Sequence, residues 1–265
     1  MQTAPANLSR WRRAAPALRL QTLASRFVSR RLAFQKSPHP IVSFTFDDFP
    51  RSALTVAGEI LREYGLWGTY YASMGLAGKR TLVGEMFDPD DLDRLVASGH
   101  ELACHTLDHS LCSDLTPDQL LESCRENRRR MAAVPGCCPP SSFSFPEGVV
   151  TPAAKAAAAR MYRTCRTIEP GVNRDPVDLA FLRAYRIYSA RGIQGLRQVI
   201  RRNQEDNGWL VLYTHDVGID PSAYGCTPLD FREIVRTVVD SGAEILPVAK
   251  GAGRFQLEAG PQDWN

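Results

Sequence analysis

The sequence predicts an α/β fold built on a parallel sheet or barrel, because strand-like runs alternate with helical patterns from Ile41 onward. Short runs rich in β-branched and aromatic residues occur at 41–46, 67–72, 100–104, 142–145, 164–168, 184–188, 209–214 and 243–248. Helix-start signals lie between many of these runs. Such alternation is typical of parallel strands joined by helices, so chemistry is expected at the carboxyl ends of the strands.

Four predicted helices begin with a capping residue followed by proline, at Asp88-Pro89, Thr116-Pro117, Thr151-Pro152 and Thr227-Pro228. The side-chain oxygen of such a cap accepts a bond from the first helical turn, and the fixed φ of proline suits the first helical position. A further helix is predicted to begin near Ser52 and to end at Gly65, and the helix from Pro89 is predicted to end at Gly99.

The composition is that of an ordinary globular protein, with 44% hydrophobic and 23% charged residues, which excludes the disordered and fibrous classes. At 265 residues, the chain predicts one catalytic domain, residues 37–265, after an N-terminal extension, residues 1–36. No GxSxG elbow supports a serine hydrolase, and neither a GxxxxGK[ST] loop nor a GxGxxG turn supports a nucleotide-binding enzyme.

Seven cysteines form an odd set without CxxC spacing, and Cys137 and Cys138 are adjacent. This pattern favours buried free thiols in a reducing compartment. No run of 18 apolar residues occurs, and the N-terminus lacks the apolar core and cleavage site of a secretory signal. The expected location is the cytoplasm.

The extension 1–36 carries eight Arg and Lys residues and no acidic residue. In helical register one side carries Leu20, Leu23, Phe27 and Phe34, with Trp11 and Leu18 nearby. A basic helix with one apolar side is typical of peripheral contact with an anionic membrane surface, and no nucleic-acid partner is expected. The alternatives are a solvated arm, an arm packed on the domain, or an arm used between subunits.

Two carboxylates, Asp47 and Asp48, directly follow the apolar strand 41–46. Adjacent residues in a strand point to opposite sides, so one carboxylate can bind a metal while its neighbour accepts a proton. Aspartate is also a common turn former, so this pair gains weight only from the motifs that accompany it.

The segment GHELACHTLDH places His105 and His109 four residues apart, a spacing that puts both imidazoles on one face if the segment forms a helical turn. Two neutral imidazoles and one carboxylate form a ligand set suited to zinc or another divalent transition metal. The alternative is a pair of surface or helix-capping histidines. His100, in the predicted strand, is expected to make a structural hydrogen bond, and His39 is expected in a loop.

His215 follows the apolar run WLVLYT and should emerge where the other candidate residues lie. Histidine exchanges protons near neutral pH, so this residue could protonate a departing amine. Asp216 would either orient the imidazole for catalysis or hold it in a packed structural position.

Four segments in this order resemble the polysaccharide deacetylases with a NodB homology domain, carbohydrate esterase family four. They are TFDD (45–48), GHELACHTLDH (99–109), FSFPEG (143–148) and LYTH (212–215). The resemblance covers residues 41–250. It implies a distorted (β/α) barrel of about seven parallel strands, here with a basic helical N-terminal extension. It also implies metal-dependent removal of an N-acetyl group from an N-acetylated sugar or glycan.

The resemblance assigns roles by position. Asp47 matches the family's catalytic base, His215 its general acid, and Asp48, His105 and His109 its metal ligands. The expected cofactor is one divalent ion, first zinc, with cobalt, nickel or manganese as alternatives. The chemistry also needs a donor for the developing oxyanion, and we assign this to the backbone N–H of Glu147, with Pro146 and Phe49 bordering the substrate.

The chain departs from the family pattern at three positions. Phe49 stands where the family usually has glycine, which predicts an altered loop path at the metal, and Glu147 stands where it has an aromatic residue. Ser144 stands where many members have the arginine that orients the base, so Arg166 or Arg174 is the candidate to supply that charge. There is also no convincing DxxDW segment. Alternative functions are therefore a related amide hydrolase, deformylase or imidase-like, and an inactive metal- or glycan-binding module.

Overall fold

A curled sheet of parallel strands forms the centre of the protein, which this computed structural model describes for residues 18–258. The strands are β1 (Leu32–Gln35), β2 (Ile41–Phe46), β3 (Thr69–Ala72), β4 (Arg80–Thr81), β5 (Gly84–Glu85), β6 (Glu101–Cys104), β7 (Ser142–Ser144), β8 (Thr164–Arg166), β9 (Val177–Asp178), β10 (Tyr185–Arg186), β11 (Trp209–Thr214), β12 (Glu244–Ile245) and β13 (Phe255–Leu257). Seven of them follow the order β10-β11-β2-β3-β6-β7-β8, and β12 pairs with β2 beside this path. The prediction of a distorted barrel of about seven parallel strands is confirmed.

Helices connect most of the strands. Residues 18–25 are helical, a π-helix spans Ala53–Gly58, and α-helices span Glu59–Glu63, Pro89–Ala97, Pro117–Met131, Pro152–Met161, Gln194–Glu205, Pro228–Asp240 and Val248–Ala252. Short 3-10 turns occupy Met74–Leu76, Pro146–Gly148 and Ser189–Arg191. The helix predicted from Ser52 to Gly65 is therefore present, although its first half is wound as a π-helix.

Each predicted helix cap is confirmed. The side chains of Asp88, Thr116, Thr151 and Thr227 accept bonds from Asp91, Gln119, Ala154 and Asp230 respectively. Gly65 and Gly99 follow helices with φ of 67° and 83°, the left-handed conformation that ends a helix at little cost in glycine.

The register of the central strands determines which polar residues meet at their carboxyl ends. Strand β11 pairs with β2 along its whole length, from Trp209 opposite Ile41 to Thr214 opposite Phe46. The backbone N–H of Asp47 then donates to the carbonyl of Thr214, at 2.9 Å. Asp47 and His215 directly follow these two strands, so they are neighbours at the carboxyl end of the sheet.

A second, antiparallel sheet ties the N-terminal segment to the rest of the protein. In it, β1 lies between β13 and β9. Residues 32–35 are thus extended, so the prediction of one helical face continuing to Phe34 is wrong. The backbone of β1 bonds to strands distant in sequence, and a helical pattern cannot reveal such partners.

The helical residues 18–25 lie against the domain through polar side chains. Thr22 and Ser25 are buried, and both hydroxyls donate to the carbonyl of Val150, at 3.2 and 3.3 Å. Leu20, Leu23 and Phe27 are exposed. The predicted contribution of Trp11 lies outside the described residues. Within residues 18–258, no helix is both long and apolar enough to cross a membrane.

A buried ion pair strengthens the same attachment. Lys155 has no exposed surface, and its ammonium donates to the carboxylate of Asp178, at 2.6 Å, and to the carbonyl of Ser25, at 2.9 Å. The other oxygen of Asp178 accepts from the backbone N–H of Arg31, at 2.8 Å. Two charged groups of the domain interior therefore depend on residues before β1 for part of their bonding.

All seven cysteines are free thiols, as predicted. Cys104, Cys112, Cys124, Cys165 and Cys226 are buried. The expectation of burial is wrong for the adjacent pair, since Cys137 is half-buried and Cys138 is exposed in the loop after helix Pro117–Met131.

Candidate metal centre

Asp48, His105 and His109 converge at the carboxyl end of the sheet. The Oδ1 atom of Asp48 lies 3.5 Å from Nε2 of His105 and 3.2 Å from Nε2 of His109. One ligand atom from each residue lies within 4.8 Å of the other two. The structure therefore brings together the three residues that the sequence predicted as metal ligands.

The two histidines occupy a loop after β6, so the prediction of a helical turn is wrong. Thr106 and His109 have φ of 63° and 57°, and left-handed residues cannot continue a right-handed helix. The loop nevertheless brings the two imidazole rings to a centroid separation of 5.0 Å. The two histidines, four residues apart, therefore meet because a tight loop turns the chain back and not because they share one face of a helix.

His105 is held in the form that a metal requires. Its Nδ1 lies 2.8 Å from the carbonyl of Ser144, so Nδ1 carries the proton and Nε2 presents its lone pair toward Asp48. Burial, followed by the neighbouring His109, lowers the pKa of His105 to about 4. The imidazole is therefore neutral near pH 7.

The carboxylate of Asp48 has an oxygen atom that suits a bound metal ion. Its Oδ1 is buried and finds no hydrogen-bond donor in the part of the chain that the structure describes. A buried carboxylate oxygen without a donor, facing two imidazole nitrogens, costs free energy unless a cation neutralises it. One oxygen and two nitrogens also match the ligand preferences of zinc and its neighbours. The residues present fit a divalent transition ion.

Asp47 is bound by an arginine from a neighbouring part of the sheet. Arg166, at the end of β8, is fully buried, and its guanidinium donates to Oδ1 of Asp47 and to the hydroxyl of Ser144. The guanidinium carbon lies 5.0 Å from the ring centroids of both Tyr71 and Tyr213. Stacking between two aromatic faces restricts the guanidinium to one orientation.

This contact determines the charge of Asp47. Burial alone would raise the pKa of its carboxyl, but the Arg166 guanidinium, with smaller contributions from His105 and His215, outweighs burial, and the net pKa is lowered. Asp47 is therefore ionised near neutral pH. The other candidate, Arg174, pairs with Asp206 at 2.9 Å and is exposed, and the ion pairs found within residues 18–258 do not join it to Asp47.

His215 directly follows β11 and is oriented by a backbone group. Its Nδ1 lies 3.2 Å from the carbonyl of Tyr224. Asp216 instead accepts bonds from the backbone N–H and the hydroxyl of Ser222, so the prediction that it orients or holds the imidazole is wrong. Neighbouring residues point to different sides, which directs the Asp216 carboxylate into the 222–226 loop.

Phe49 does not border the substrate, contrary to expectation. Its side chain is fully buried and stacks on Phe87, with ring centroids 4.8 Å apart. Its backbone has φ of 58°, the left-handed conformation that glycine adopts most easily. The phenylalanine therefore occupies a backbone conformation suited to the family's glycine, while its ring joins the hydrophobic core.

The turn Pro146–Gly148 lies beside the metal centre, where an oxyanion donor was predicted. Pro146 is buried, and Glu147 is exposed with φ of 52°. Desolvation, opposed by the nearby His109 and reinforced by Asp48, raises the pKa of the Glu147 carboxyl. The side chain of Glu147 is therefore close enough to His109 and Asp48 for their charges to affect its pKa.

Several residues at the site were not anticipated from the sequence. Tyr71 and Tyr213 stack on Arg166, and Tyr188 lies with its ring 6.0 Å from that of His215. Tyr224 contributes both its carbonyl, which faces Nδ1 of His215, and its ring, whose centroid lies 5.8 Å from that of the His215 ring. Tyrosines in strands are common in hydrophobic cores, so only the strand register could have shown that these rings meet a buried arginine.

Comparisons with known proteins agree with this architecture. The sequence profile described as polysaccharide deacetylase matches residues 34–165. A family 4 acetyl xylan esterase from Clostridium thermocellum, solved with a cobalt ion, superposes with a TM-score of 0.55 at 19% identity, covering 79% of this chain and 89% of that chain. The peptidoglycan deacetylase PdaC from Bacillus subtilis gives a TM-score of 0.54 at 16% identity, covering 82% and 92%.

A third similar structure is a family 4 carbohydrate esterase from Streptomyces lividans in complex with acetate, with a TM-score of 0.54 at 19% identity, covering 78% of this chain and 91% of that chain. At these identities the structural likeness shows the fold alone. No curated protein matches the chain.

Proposed function

Because residues 34–165 belong to the polysaccharide deacetylase family, we propose that the protein is a metal-dependent hydrolase that removes the N-acetyl group from an N-acetylated sugar or glycan. The observation that carries the proposal is the convergence of Asp48, His105 and His109 beside Asp47, whose carboxylate is bound by a buried arginine. A metal-ligand set next to an ionised base is what hydrolysis of an amide requires.

Asp48, His105 and His109 would hold one divalent ion, with zinc as the first candidate and cobalt, nickel or manganese as alternatives. Such an ion, when bound, polarises an amide carbonyl and makes water more acidic. The cobalt ion in the Clostridium thermocellum esterase supports a transition metal at this type of site.

Asp47 is proposed as the general base. It is ionised, buried and kept in one orientation by Arg166, so it can accept a proton from the attacking water without first losing one of its own. Arg166 acts through Asp47 as a positioning residue. Its rigid stacking prevents the carboxylate from turning away between turnovers.

His215 is proposed as the general acid. The nitrogen of an amide leaves readily only when it is protonated, and His215 lies beside Asp47 at the end of the adjacent strand. With Nδ1 directed at the carbonyl of Tyr224, Nε2 is the nitrogen that would deliver the proton. The backbone N–H of Glu147 is proposed to donate to the oxyanion that forms during attack.

Acetate release from a panel of N-acetylated sugars and glycans tests the proposal. We expect turnover that stops when a chelator is added and returns with a divalent ion. The Asp47→Asn protein serves as the matched control, because it should bind the same amount of metal yet lose about 10²-fold or more of kcat. Acetate release that the chelator or this substitution leaves unchanged would disprove the proposed mechanism.

The departures at Ser144 and Glu147 favour keeping a second candidate, a related amide hydrolase of the deformylase or imidase-like type. The same panel should therefore include N-formylated sugars and cyclic imides. An inactive metal- or glycan-binding module would bind metal or glycan and hydrolyse none of these substrates.

The proposed location is the cytoplasm, in peripheral contact with a membrane. The free thiols support a reducing compartment. A cytoplasmic deacetylase at a membrane would meet a lipid-linked or membrane-assembled glycan precursor, and fractionation of the cell would test this.

A further inference from the structure

The N-terminal helix exposes a row of large apolar side chains. Leu20, Leu23 and Phe27 are 67%, 44% and 78% exposed, and their spacing of three and then four residues places them along one side of the helix and the turn that follows it. We call these three residues the N-terminal stripe. Clustered apolar side chains of this size rarely remain in water unless they have a partner.

The opposite side of this segment is attached to the domain, so the stripe cannot simply turn inward. Thr22 and Ser25 are buried and donate to the carbonyl of Val150. Arg26 pairs with Glu169, and the guanidinium of Arg31 donates to backbone carbonyls at 159, 162 and 163. These contacts direct the stripe away from the protein.

Basic residues flank the stripe along the chain. Arg19, Arg30 and Lys36 are exposed and form no ion pair with another residue between 18 and 258. The preceding residues 1–17 add Arg10, Arg12 and Arg13 and no acid. The segment therefore offers apolar side chains for insertion and positive charge for attraction, the combination that fits the headgroup region of an anionic bilayer.

We propose that the N-terminal stripe and its flanking basic residues form a docking surface for an anionic lipid bilayer. Nucleic acid would use the charges but would leave the apolar stripe in water. A second copy of the chain would bring two basic segments together, and their charges would repel. A lipid surface satisfies both features at once.

The buried side of the N-terminal helix contacts the segment that follows the turn Pro146–Gly148. Val150, which accepts the bonds of Thr22 and Ser25, comes two residues after this turn. The helix that carries the stripe is thus attached next to the turn whose Glu147 N–H is proposed to donate to the oxyanion. The docking itself does not depend on the proposed deacetylation.

Sedimentation of the full-length protein with vesicles tests the proposal. We expect binding to phosphatidylcholine vesicles that contain phosphatidylglycerol, weaker binding to phosphatidylcholine alone, and release at high salt. The triple variant Leu20→Ser, Leu23→Ser, Phe27→Ser should bind the anionic vesicles roughly tenfold or more weakly. Its thermal unfolding midpoint should match the parent because the replaced side chains are exposed.

The matched control replaces three apolar residues elsewhere that are more exposed than the stripe, Leu82→Ser, Ile219→Ser, Leu229→Ser, which are 79%, 95% and 79% exposed. This control should bind vesicles like the parent. An equal loss in both variants, or equal binding to neutral and anionic vesicles, would overturn the proposal. So would a parent that ignores vesicles but forms a dimer that the stripe variant abolishes, or one that binds duplex DNA in preference to vesicles. None of these results depends on turnover, so they stand apart from the assay of deacetylation.

Discussion

Ser144 and Arg166 lie directly opposite each other in the neighbouring parallel strands β7 and β8, and the guanidinium of Arg166 donates to the hydroxyl of Ser144. Strand β7 carries serine where many polysaccharide deacetylases carry the arginine that orients the base. Here the arginine comes from the next strand at the same register and reaches Asp47 from there. The small serine side chain also provides an acceptor for it.

We predict that Arg166→Met lowers kcat by about 10²-fold and moves the acid limb of the pH–rate profile to higher pH. The sign follows from the lowered pKa of Asp47: without the guanidinium, burial dominates, the pKa rises, and the base becomes protonated at a higher pH. Arg174→Met, which removes a guanidinium that does not contact Asp47, is the control and should behave like the parent. The pH dependence of kcat/KM measures the shift.

A related prediction concerns the exchange of the two residues. The double variant Ser144→Arg, Arg166→Ser should recover part of the activity that Arg166→Ser alone loses, because the guanidinium returns to Asp47 from the adjacent strand. Equal activity of the single and double variants would show that the path of β7 does not direct residue 144 toward Asp47. Steady-state kinetics and metal content should be measured on both proteins.

Removal of one metal ligand should remove the ion. We expect His109→Ala to reduce bound metal to background, since Asp48 and His105 alone offer two ligands. His39→Ala, a change in a loop distant from the centre in sequence, should keep the parent's metal content. Elemental analysis of the purified proteins decides the outcome, and equal metal in His109→Ala and the parent would contradict the proposed ligand set.

His215→Ala should retain metal and lose more activity on amides than on activated esters. The amine of an amide must be protonated to leave, whereas a phenolate leaves without help. Asp216→Asn is the matched comparison, and its effect should be smaller because Asp216 bonds to Ser222 and not to His215. A similar loss on both substrate types would count against His215 as the acid.

His100 should make stability depend on pH. Burial lowers its pKa from 6.5 to about 4, although Glu59 opposes the shift, and its Nδ1 accepts a bond from the backbone N–H of Gly68. Between pH 6.5 and pH 4 the unfolded chain binds a proton at His100 that the folded protein does not. The stability that neutral His100 contributes is therefore fully present above pH 6.5 and decreases as the pH falls toward 4. About 2 kcal/mol should be lost between pH 6.5 and pH 5.

Urea unfolding of the parent and of His100→Asn tests this expectation. Asparagine keeps an acceptor for the Gly68 N–H but does not titrate, so the variant should lose less stability on acidification. Groups that titrate in both proteins, such as His105, cancel in the comparison. Parallel pH curves for the two proteins would show that His100 is protonated without cost.

Features encoded by neighbouring residues were predictable from the sequence. The caps Asp88, Thr116, Thr151 and Thr227 bond within their own first turns, and strands β2 and β11 are runs of mostly apolar residues, so no distant partner is needed to recognise them. The three candidate ligands were also predictable, although the two histidines meet on a loop and not on one face of a helix. Their meeting depends on left-handed residues at Thr106 and His109, which a spacing of four does not reveal.

Features that depend on strand register or on the backbone could not be read from the chain. Arg166 was one of two candidates, and only the pairing of β7 with β8 places it beside Asp47. The partner of His215 is a backbone carbonyl, which every residue carries, so residue types gave no reason to choose Tyr224 over Asp216. Phe49 directly follows the Asp47-Asp48 pair in sequence and was therefore expected to border the substrate. Its ring instead stacks on Phe87 in the hydrophobic core.

The buried ammonium of Lys155 has a practical consequence for recombinant work. A shortened protein that starts at residue 37 would lack the carbonyl of Ser25 and the amide of Arg31, and β9 and β13 would lose the strand between them. Lys155 and Asp178 would keep each other in the interior while each lost a partner, which is destabilising. An expression plasmid designed from the boundaries of the motif region alone would therefore yield an insoluble or protease-sensitive product, and inactivity of that product would say nothing about the enzyme.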